Sequence, residues 1–433
     1  MEYKLSFYNI VTLDTGDSKY IWNTKKGSIV ELESEVWDSL CAGDFENERV
    51  REYADALYKE GIIVNKDLNE LEQIVFRAKQ KQFAVGQKSF GMVIAPTMAC
   101  NYNCPYCFEG AAKEQCAVMS QQVMDAIVKA WRFKLEGTLG IEEARITWFG
   151  GEPLLTYDRV IVPLQTRLVE LCREKNIAFG ASIITNGYFL TEEKYDFLFG
   201  SGVVKFVQIT IDGTEKEYCK RKGTTAEAYH RVINNILNLS KYCTDNNLKT
   251  KINIRVNIDK SNYEDIKRVV DYLRQDDRYG KNIVYTPARL RDYDFCKELD
   301  SYCTTDEYER LQYDFEDYVE KPPRIIETKT TFCGQHCMNV FCVGANGDLY
   351  KCEHDFGIKE HAVGNISTGL TYNKYFAYFM YQPLPEKCNT CVILPVCMGG
   401  CPHRRLMTGQ NFECEHTVEN MKRSVNRYIL SKK

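Results

Sequence analysis

Between residues 90 and 290, six short runs of β-type residues alternate with stretches of helix length. The runs lie at 92–95, 145–148, 179–184, 205–211, 251–257 and 282–286. Apolar residues with helical period fill the intervals at 121–135, 159–174, 192–199, 226–242 and 263–273. Strands joined by crossover helices pair in parallel, because a tight turn can only return a chain antiparallel. The expected fold class is therefore α/β, with a six-stranded parallel sheet that is open or partly closed as a barrel. In such sheets the functional site sits at the carboxyl ends of the strands, in the βα loops.

The flanking regions differ in kind. Residues 1–85 read as a separate small unit, with strands at 3–13, 19–22 and 27–32 and a turn at Asp14-Thr15-Gly16-Asp17. Helical patterns follow at 33–40 and 47–58, and Gly61 ends the second. This order is winged-helix-like; a plain packing domain is the bland alternative. Residues 86–300 hold the βα repeat. Residues 301–433 begin with a helical pattern at 306–320. After Pro322-Pro323 they lose periodicity and become rich in Cys, Gly and Pro, which suggests a segment that needs bound metal to fold.

Bulk charge narrows the function. The 56 basic and 60 acidic residues give a net charge of −4, so no nucleic-acid partner is expected. No apolar run approaches the ~20 residues that span a bilayer, so no membrane partner is expected. The start, MEYKLSFYNI, lacks the form of a signal peptide, and a cytoplasmic protein is expected. In that compartment the 19 cysteines are poor candidates for disulfides. Seven are scattered (Cys41, Cys116, Cys172, Cys219, Cys243, Cys296 and Cys303) and suit small buried hydrophobes. The others form two groups, three between 100 and 107 and nine between 333 and 414, which points to metal or redox chemistry.

The first group is Cys100-x3-Cys104-x2-Cys107, in the loop after the first strand of the repeat. Three thiolates in eight residues can hold three corners of a cubane iron–sulfur cluster. A structural zinc site would want a fourth local thiol or imidazole, and none is near. Three ligands leave one iron open, as a catalytic centre requires. With Tyr106 as the aromatic before the last cysteine, this motif in a (βα)6 setting resembles the radical S-adenosylmethionine (SAM) superfamily. The resemblance implies that SAM chelates the open iron and is cleaved to a 5′-deoxyadenosyl radical that abstracts hydrogen from a substrate.

Other strand ends extend the resemblance. After the second strand, Gly150-Gly151-Glu152-Pro153 matches the family's GGEP motif, which holds the SAM amino group. Ser182-Ile183-Ile184-Thr185-Asn186-Gly187 and Thr210-Ile211-Asp212-Gly213 resemble its next two strand ends, with Thr210 in place of the common Ser. Arg221 stands where relatives often carry Arg, and Arg255-Val256-Asn257 matches their fifth strand. By resemblance, Tyr106, Gly150, Gly151, Glu152, Pro153, Ser182, Asn186, Thr210, Asp212 and Arg221 surround the cofactor. Thr185, Asn186 and Asp212 serve equally well as helix caps or turn formers.

The second group is Cys388-x2-Cys391-x5-Cys397-x3-Cys401 and then Cys414. Upstream lie Cys333, Cys337, Cys342 and Cys352, with Gly347 five residues before Cys352. Spacing alone divides evenly between iron–sulfur clusters and zinc. The combined pattern resembles the SPASM domain that follows the barrel in a subset of radical SAM enzymes. That resemblance implies two auxiliary 4Fe–4S clusters. One would use Cys333, Cys337, Cys352 and Cys401, the other Cys388, Cys391, Cys397 and Cys414. Cys342 is left as a buried strand thiol or an exchange partner for Cys337. If only one upstream thiol binds, the first auxiliary cluster has an open iron. Glu353 stands where sulfatase-maturing relatives carry an Asp that acts as a base; a solvated surface role is the alternative. His336, His354 and His403 flank the cysteines and suit donors to cluster sulfur or surface residues.

The SPASM resemblance implies a peptide or protein substrate. Residues 1–85 resemble the leader-recognition domains of radical SAM peptide maturases, which bind a leader by β-strand addition. The expected protein is thus a partial (β/α)6 radical SAM barrel with an N-terminal peptide-recognition domain and a C-terminal SPASM domain. It would carry three 4Fe–4S clusters and SAM. Its partners would be a precursor peptide with its leader and an electron donor such as flavodoxin or ferredoxin. Its product would be a thioether or carbon–carbon crosslink in a ribosomally made peptide. The alternatives are formylglycine formation on sulfatases, another SPASM-type oxidoreduction, and a zinc-stabilised peptide-binding scaffold without enzymatic activity.

Overall fold

The computed structural model describes residues 2–83, 88–110, 112, 117–138, 140–290, 302–338, 340–408 and 414–433. The expected domain boundaries at 85/86 and 300/301, and Cys116 and Cys296, lie outside the described residues. Contacts group the chain into two compact units. One combines Met1–Ala84 with Pro322–Met338 and Tyr378–Lys433, the other Val85–Lys321 with Asn339–Ala377. The expected third segment, 301–433, is thus divided between them.

In the first unit, β1 (Tyr3–Leu5), β2 (Asn9–Asp14), β3 (Ser18–Asn23) and β4 (Ser28–Glu33) come first. Helices α1 (Ser34–Ala42) and α2 (Glu48–Lys59), strand β5 (Ile63–Asn65) and helix α3 (Glu70–Gln82) follow. β2, β3 and β4 form an antiparallel sheet, and β1 pairs with β5. The run expected as one strand over 3–13 is broken at residues 6–8. There Ser6 Oγ and the Phe7 amide donate to the Glu70 carboxylate (2.8 and 2.9 Å), a partner at the start of α3. Residues 1–83 do not stand alone. Ile10, Tyr20 and Trp22 share a core with Ile393, Val396, Met421, Val425 and Ile429. Tyr8, Ile74 and Ala78 share another with Cys388, Leu394 and Met398.

The second unit is built on the expected parallel sheet. Its strands are β6 (Ser89–Ile94), β7 (Glu143–Trp148), β8 (Ala178–Thr185), β9 (Val204–Thr210), β10 (Lys251–Ile258) and β11 (Ile283–Arg289). All neighbours pair in parallel and in chain order. Between and after them run α4 (Gln121–Gly137), α5 (Val162–Glu174), α6 (Glu215–Lys222), α7 (Ala226–Asp245), α8 (Tyr263–Arg274) and α9 (Thr305–Tyr318). Three of these helices start at side-chain caps: Ser120, Thr225 and Thr304 accept from backbone amides, and Thr304 with Glu307 completes a capping box. The stretch 192–199 is not a regular α-helix. It is a 3₁₀ turn and a π turn that bury Tyr195, Leu198 and Phe199. The short, highly charged α6 went unrecognised in the sequence, since it buries one large apolar side chain, Tyr218.

Beyond β6 the sheet continues where the sequence predicted little regular structure. β12 (Phe341–Val343) pairs in parallel with β6, and β13 (Asp348–Tyr350), β14 (Gly364–Asn365) and β15 (Gly369–Leu370) add antiparallel. The result is a ten-stranded sheet with edges at β11 and β15. These added strands are only two or three residues long, too short for a period-2 pattern to be read. Among the described residues no helix is long and apolar enough to cross a membrane.

Trp131 anchors α4 on the sheet. It is fully buried, its ring meets Phe90 and Phe179, and its Nε1–H points to Met92 Sδ at 3.1 Å. Trp131→Ala is expected to cost about 3–5 kcal/mol of unfolding free energy, read as a lower denaturant midpoint with unchanged slope.

Candidate functional site

The six parallel strands end at one cavity of about 360 Å³. Strand alternation selects its lining. Gln208 and Thr210 of β9 and Arg255 and Asn257 of β10 face it, while Val207, Ile209, Ile254, Val256 and Ile258 are buried. The β6 loop contributes Cys100, Cys104, Tyr106 and Cys107; the β7 loop, Phe149, Gly150 and Gly151; β8 and its end, Thr185 and Asn186; β11, Arg289. Glu353 and His354, just after β13, complete the wall. The His354 ring lies 4.2 Å from the Phe108 ring.

The three thiols expected to act together do share this cavity. No three His, Cys, Asp or Glu side chains among the described residues converge closely enough to hold a single metal ion. Three cysteine thiols that face one space suit a cubane, where each thiolate takes a different iron. Soft thiolates also favour iron over a hard cation. The donor set therefore fits a 4Fe–4S cluster with one iron free for a further ligand.

The loop carrying these thiols is fixed from three sides. The amides of Gly151 and Glu152 donate to the carbonyls of Thr97 and Ala99 (3.2 and 2.9 Å). The approach is close enough to require glycine. A Cβ on Gly151 would stand 2.3 Å from the Met98 and Ala99 oxygens, and one on Gly150, at φ +97°, 2.5 Å from the Thr97 oxygen. From β8, Asn186 Nδ2 donates to Asn101 Oδ1 at 2.7 Å. From the end of α6, the Lys222 carbonyl accepts from the Asn103 amide at 3.2 Å.

Several expected cofactor residues have other partners. Glu152 is fully buried and does not line the cavity. Its carboxylate accepts from Thr185 Oγ1, the Asn186 amide (2.8 Å) and the Leu154 amide (3.0 Å), tying the β7 loop to the end of β8. Burial pushes its carboxyl up to about 7, against the opposing pull of these donors. Asp212 is also fully buried. It accepts from the Asn257 amide at 3.0 Å and from the Tyr106 hydroxyl, and pairs with Lys222 Nζ at 3.1 Å. Burial, and then the Asp212 charge, hold the Tyr106 phenol well above its ordinary range. Arg221 does not line the cavity and pairs with Asp259 and Glu217, each at 2.6 Å. Pro153 is buried at the start of a 3₁₀ turn, and Ser182 lies one pair of residues below the cavity on the face of Ile184.

Sequence reasoning missed Lys222, Gln208 and Arg289. Lys222 is one residue from the expected cation, and one helical step of about 100° separates the two directions. Arg289 ends a strand that runs three residues beyond its expected end at 286. Its guanidinium donates to the Cys303 carbonyl and Thr305 Oγ1 (2.8 and 2.7 Å).

The other cysteines divide between the units. In the first unit, burial pushes the Cys388 thiol up to about 11, and the Cys397, Cys391 and Cys414 thiols lie close enough to push further. These are the four expected to hold one auxiliary cluster. Cys333 and Cys337 flank a 3₁₀ turn in the same unit, and Cys401 precedes the helix Pro402–Thr408. Cys352 belongs to the second unit, near the fully buried thiol of Cys342 in β12.

Two outcomes follow from this geometry. Gly151→Ala is expected to disrupt the thiol loop and lower iron content by about four atoms per chain, one cubane, in an anaerobic iron assay. For Glu152, a carboxyl raised above its ordinary value binds its proton more tightly in the folded state. Stability is then highest at low pH and falls as pH rises from about 4.5 to about 7. Glu152→Gln is expected to remove this fall, seen by comparing the two proteins' denaturant midpoints across that range.

Residues 94–273 match the Radical SAM superfamily. A serine-type anaerobic sulfatase-maturating enzyme of Bacteroides thetaiotaomicron is 24% identical over 392 residues, covering 78% of this chain and 90% of that protein. Among solved structures, native anSMEcpe with bound AdoMet and Cp18Cys peptide superposes with a TM-score of 0.56 at 19% identity, covering 79% of this chain and 97% of that one. SuiB of Streptococcus suis bound to S-adenosylmethionine gives 0.53 at 16% identity, covering 92% and 95%. These likenesses establish the fold. Three thiols of C-x3-C-x2-C spacing at the ends of six parallel strands, within the matched segment, mark residues 94–273 as a radical SAM domain.

Proposed function

We propose that this enzyme matures a ribosomally made peptide, installing a thioether or carbon–carbon crosslink. The observation that carries the reading is the cavity itself, where three thiols, a glycine-seated loop and polar strand ends enclose a space for a small cofactor and one substrate side chain. When bound, the 4Fe–4S cluster and SAM supply the hydrogen-abstracting radical, and auxiliary clusters supply an acceptor for the second electron. The chain's own residues do the rest. Gln208, Thr210, Arg255 and Asn257 offer hydrogen bonds to a polar cofactor. Tyr106, held by Asp212, fixes one wall. Phe108 and Phe149, stacked at 6.2 Å, exclude water. Glu353 places a carboxylate on the wall where it can take the proton released as the crosslink closes.

Support for a peptide substrate comes from the relatives. Structures of SuiB with its precursor peptide SuiA and of anSMEcpe with a peptide share this fold. Support for leader recognition comes from residues 1–83. Among the described residues, β1 pairs only with β5 and β4 only with β3, so each offers a free edge for strand addition. The anSMEcpe match spans 97% of that chain yet leaves about a fifth of this one, whereas SuiB covers 92%. The neighbouring thiols of Cys388, Cys391, Cys397 and Cys414 support one auxiliary cluster, and the resemblance to the SPASM domain implies another on Cys333, Cys337, Cys352 and Cys401. Flavodoxin or ferredoxin would supply the reducing electron. A second reading, formylglycine formation, is favoured by the Bacteroides relative and by Glu353 on the cavity wall.

Reconstituted protein is expected to hold about 12 iron atoms per chain, three cubanes. Replacing Cys100, Cys104 and Cys107 with Ala should remove about four of them and all SAM cleavage. Given a small peptide encoded beside the gene, mass spectrometry should show loss of two hydrogens, dependence on the leader, and no reaction with a hydrazide. A hydrazide-reactive product formed without a leader would establish the second reading instead.

A further inference from the structure

Four buried hydrogen-bond donors on three side chains of the first unit lie around the cysteine run 388–401 and find no partner among the described residues. They are the Tyr8 hydroxyl, Trp22 Nε1, and Nε and Nη1 of Arg405. Tyr8, Trp22 and Arg405 are 1%, 0% and 5% exposed. An unpartnered buried donor is unusual, and an unpaired buried cation is among the costliest groups a fold can hold.

The positions of these groups identify what is missing. Arg405 begins one helical turn after Cys401, and its Nη1 lies 3.2 Å from where a Cβ on Gly399 would stand, between Cys397 and Cys401. Burial lowers its guanidinium below the ordinary value, and the thiols of Cys388, Cys401 and Cys397, with Tyr378, act in the other direction. Tyr8 packs in the same core as Cys388, Leu394 and Met398. Burial pushes its hydroxyl up to about 12, with the Glu70 carboxylate and then the Cys391 thiol adding to the effect. Trp22 packs in the core that includes Cys391 and Val392. A cubane with four thiolate ligands is an anion whose sulfurs accept hydrogen bonds. It would satisfy the cation and the donors together.

We propose that Arg405 and Tyr8 face the cluster held by Cys388, Cys391, Cys397 and Cys414 and raise its reduction potential, Arg405 by its charge and both by hydrogen bonds to sulfur. Cluster potentials respond to net charge, to hydrogen bonds at sulfur and to solvent exposure. Reduction adds negative charge, so a nearby cation and donors stabilise the reduced form. Tyr8 comes from the segment expected to recognise the leader, so that segment contributes directly to an electron acceptor. The inference rests on the reading that those four thiols hold a cluster.

The test is an anaerobic redox titration of the reconstituted holoenzyme, followed by electron paramagnetic resonance. Tyr8→Phe and Arg405→Gln are expected to move one midpoint to more negative potential, leaving the other two and the response to SAM unchanged. Arg405→Lys, which keeps the charge, should give a smaller shift. If Arg405→Gln sheds its cluster, Tyr8→Phe and Arg405→Lys still carry the test. Unmoved midpoints in Tyr8→Phe and Arg405→Lys at full iron content would overturn the proposal. A Cys388→Ser, Cys391→Ser double variant that keeps all its iron would instead show that no cluster sits there, and so remove the reading beneath it.

Discussion

The backbone of Gly151 lies against the carbonyls of Met98 and Ala99 so closely that no side chain fits between them. The rest of the site depends on this seam. It presses the loop after β7 onto the loop after β6, and so sets where Cys100, Cys104 and Cys107 stand relative to the strand ends. The next residue, Glu152, turns inward and takes donors from Thr185 and Asn186 at the end of β8. Asn186 in turn reaches back to Asn101 in the cysteine loop. Three strand ends are thereby closed into a ring of contacts. The parallel register, with Ile94 beside Trp148 and Trp148 beside Ile183, brings those ends to one level.

A second set of contacts holds the far side. Asp212, at the end of β9, is fully buried with Lys222, Tyr106 and the Asn257 amide around it. Buried ion pairs add little net stability, because desolvation offsets their attraction, yet removing one partner costs about 3–5 kcal/mol. Such a pair is better understood as fixing geometry. Here it fixes the aromatic residue between Cys104 and Cys107. Arg221 and Asp259 form a parallel pair nearby, where burial raises the Asp259 carboxyl but the guanidinium more than offsets it and holds it below the ordinary range. Adjacent cations on α6 thus serve two different carboxylates.

Much of this was legible in the sequence. All six parallel strands were readable because each is a run of apolar and β-branched residues separated by a helix-length period. The three thiols were readable because their spacing is local. What escaped was tertiary in origin. Glu152 carries a motif residue's identity, but its burial and its bonds to β8 follow from the chain path. Whether Arg221 or Lys222 meets the cavity is set by the phase of α6, which a charged eight-residue helix does not announce. The short strands from 341 to 370 take their shape from the open edge of β6 and not from any pattern of their own.

The cysteine-rich run was expected to rely on metal for its fold, because it has little periodicity and is rich in Cys, Gly and Pro. The structure shows a second source of order. Tyr8, Ile10, Tyr20, Trp22, Ile74 and Ala78, all from the N-terminal segment, supply the apolar surface that Ile393, Leu394, Val396 and Met398 lack. Thr24 Oγ1 also donates to the Val392 carbonyl at 2.5 Å. Burying large apolar side chains such as Ile10 and Ile74 is worth roughly 1.5–3 kcal/mol each, enough that removing the segment would expose and unsettle the cysteine run. Truncation of residues 1–83 therefore cannot separate the proposed leader recognition from the integrity of the proposed cluster. Changes confined to the exposed side chains of β4, Glu31 and Glu33, leave both cores intact and isolate the proposed peptide-binding role.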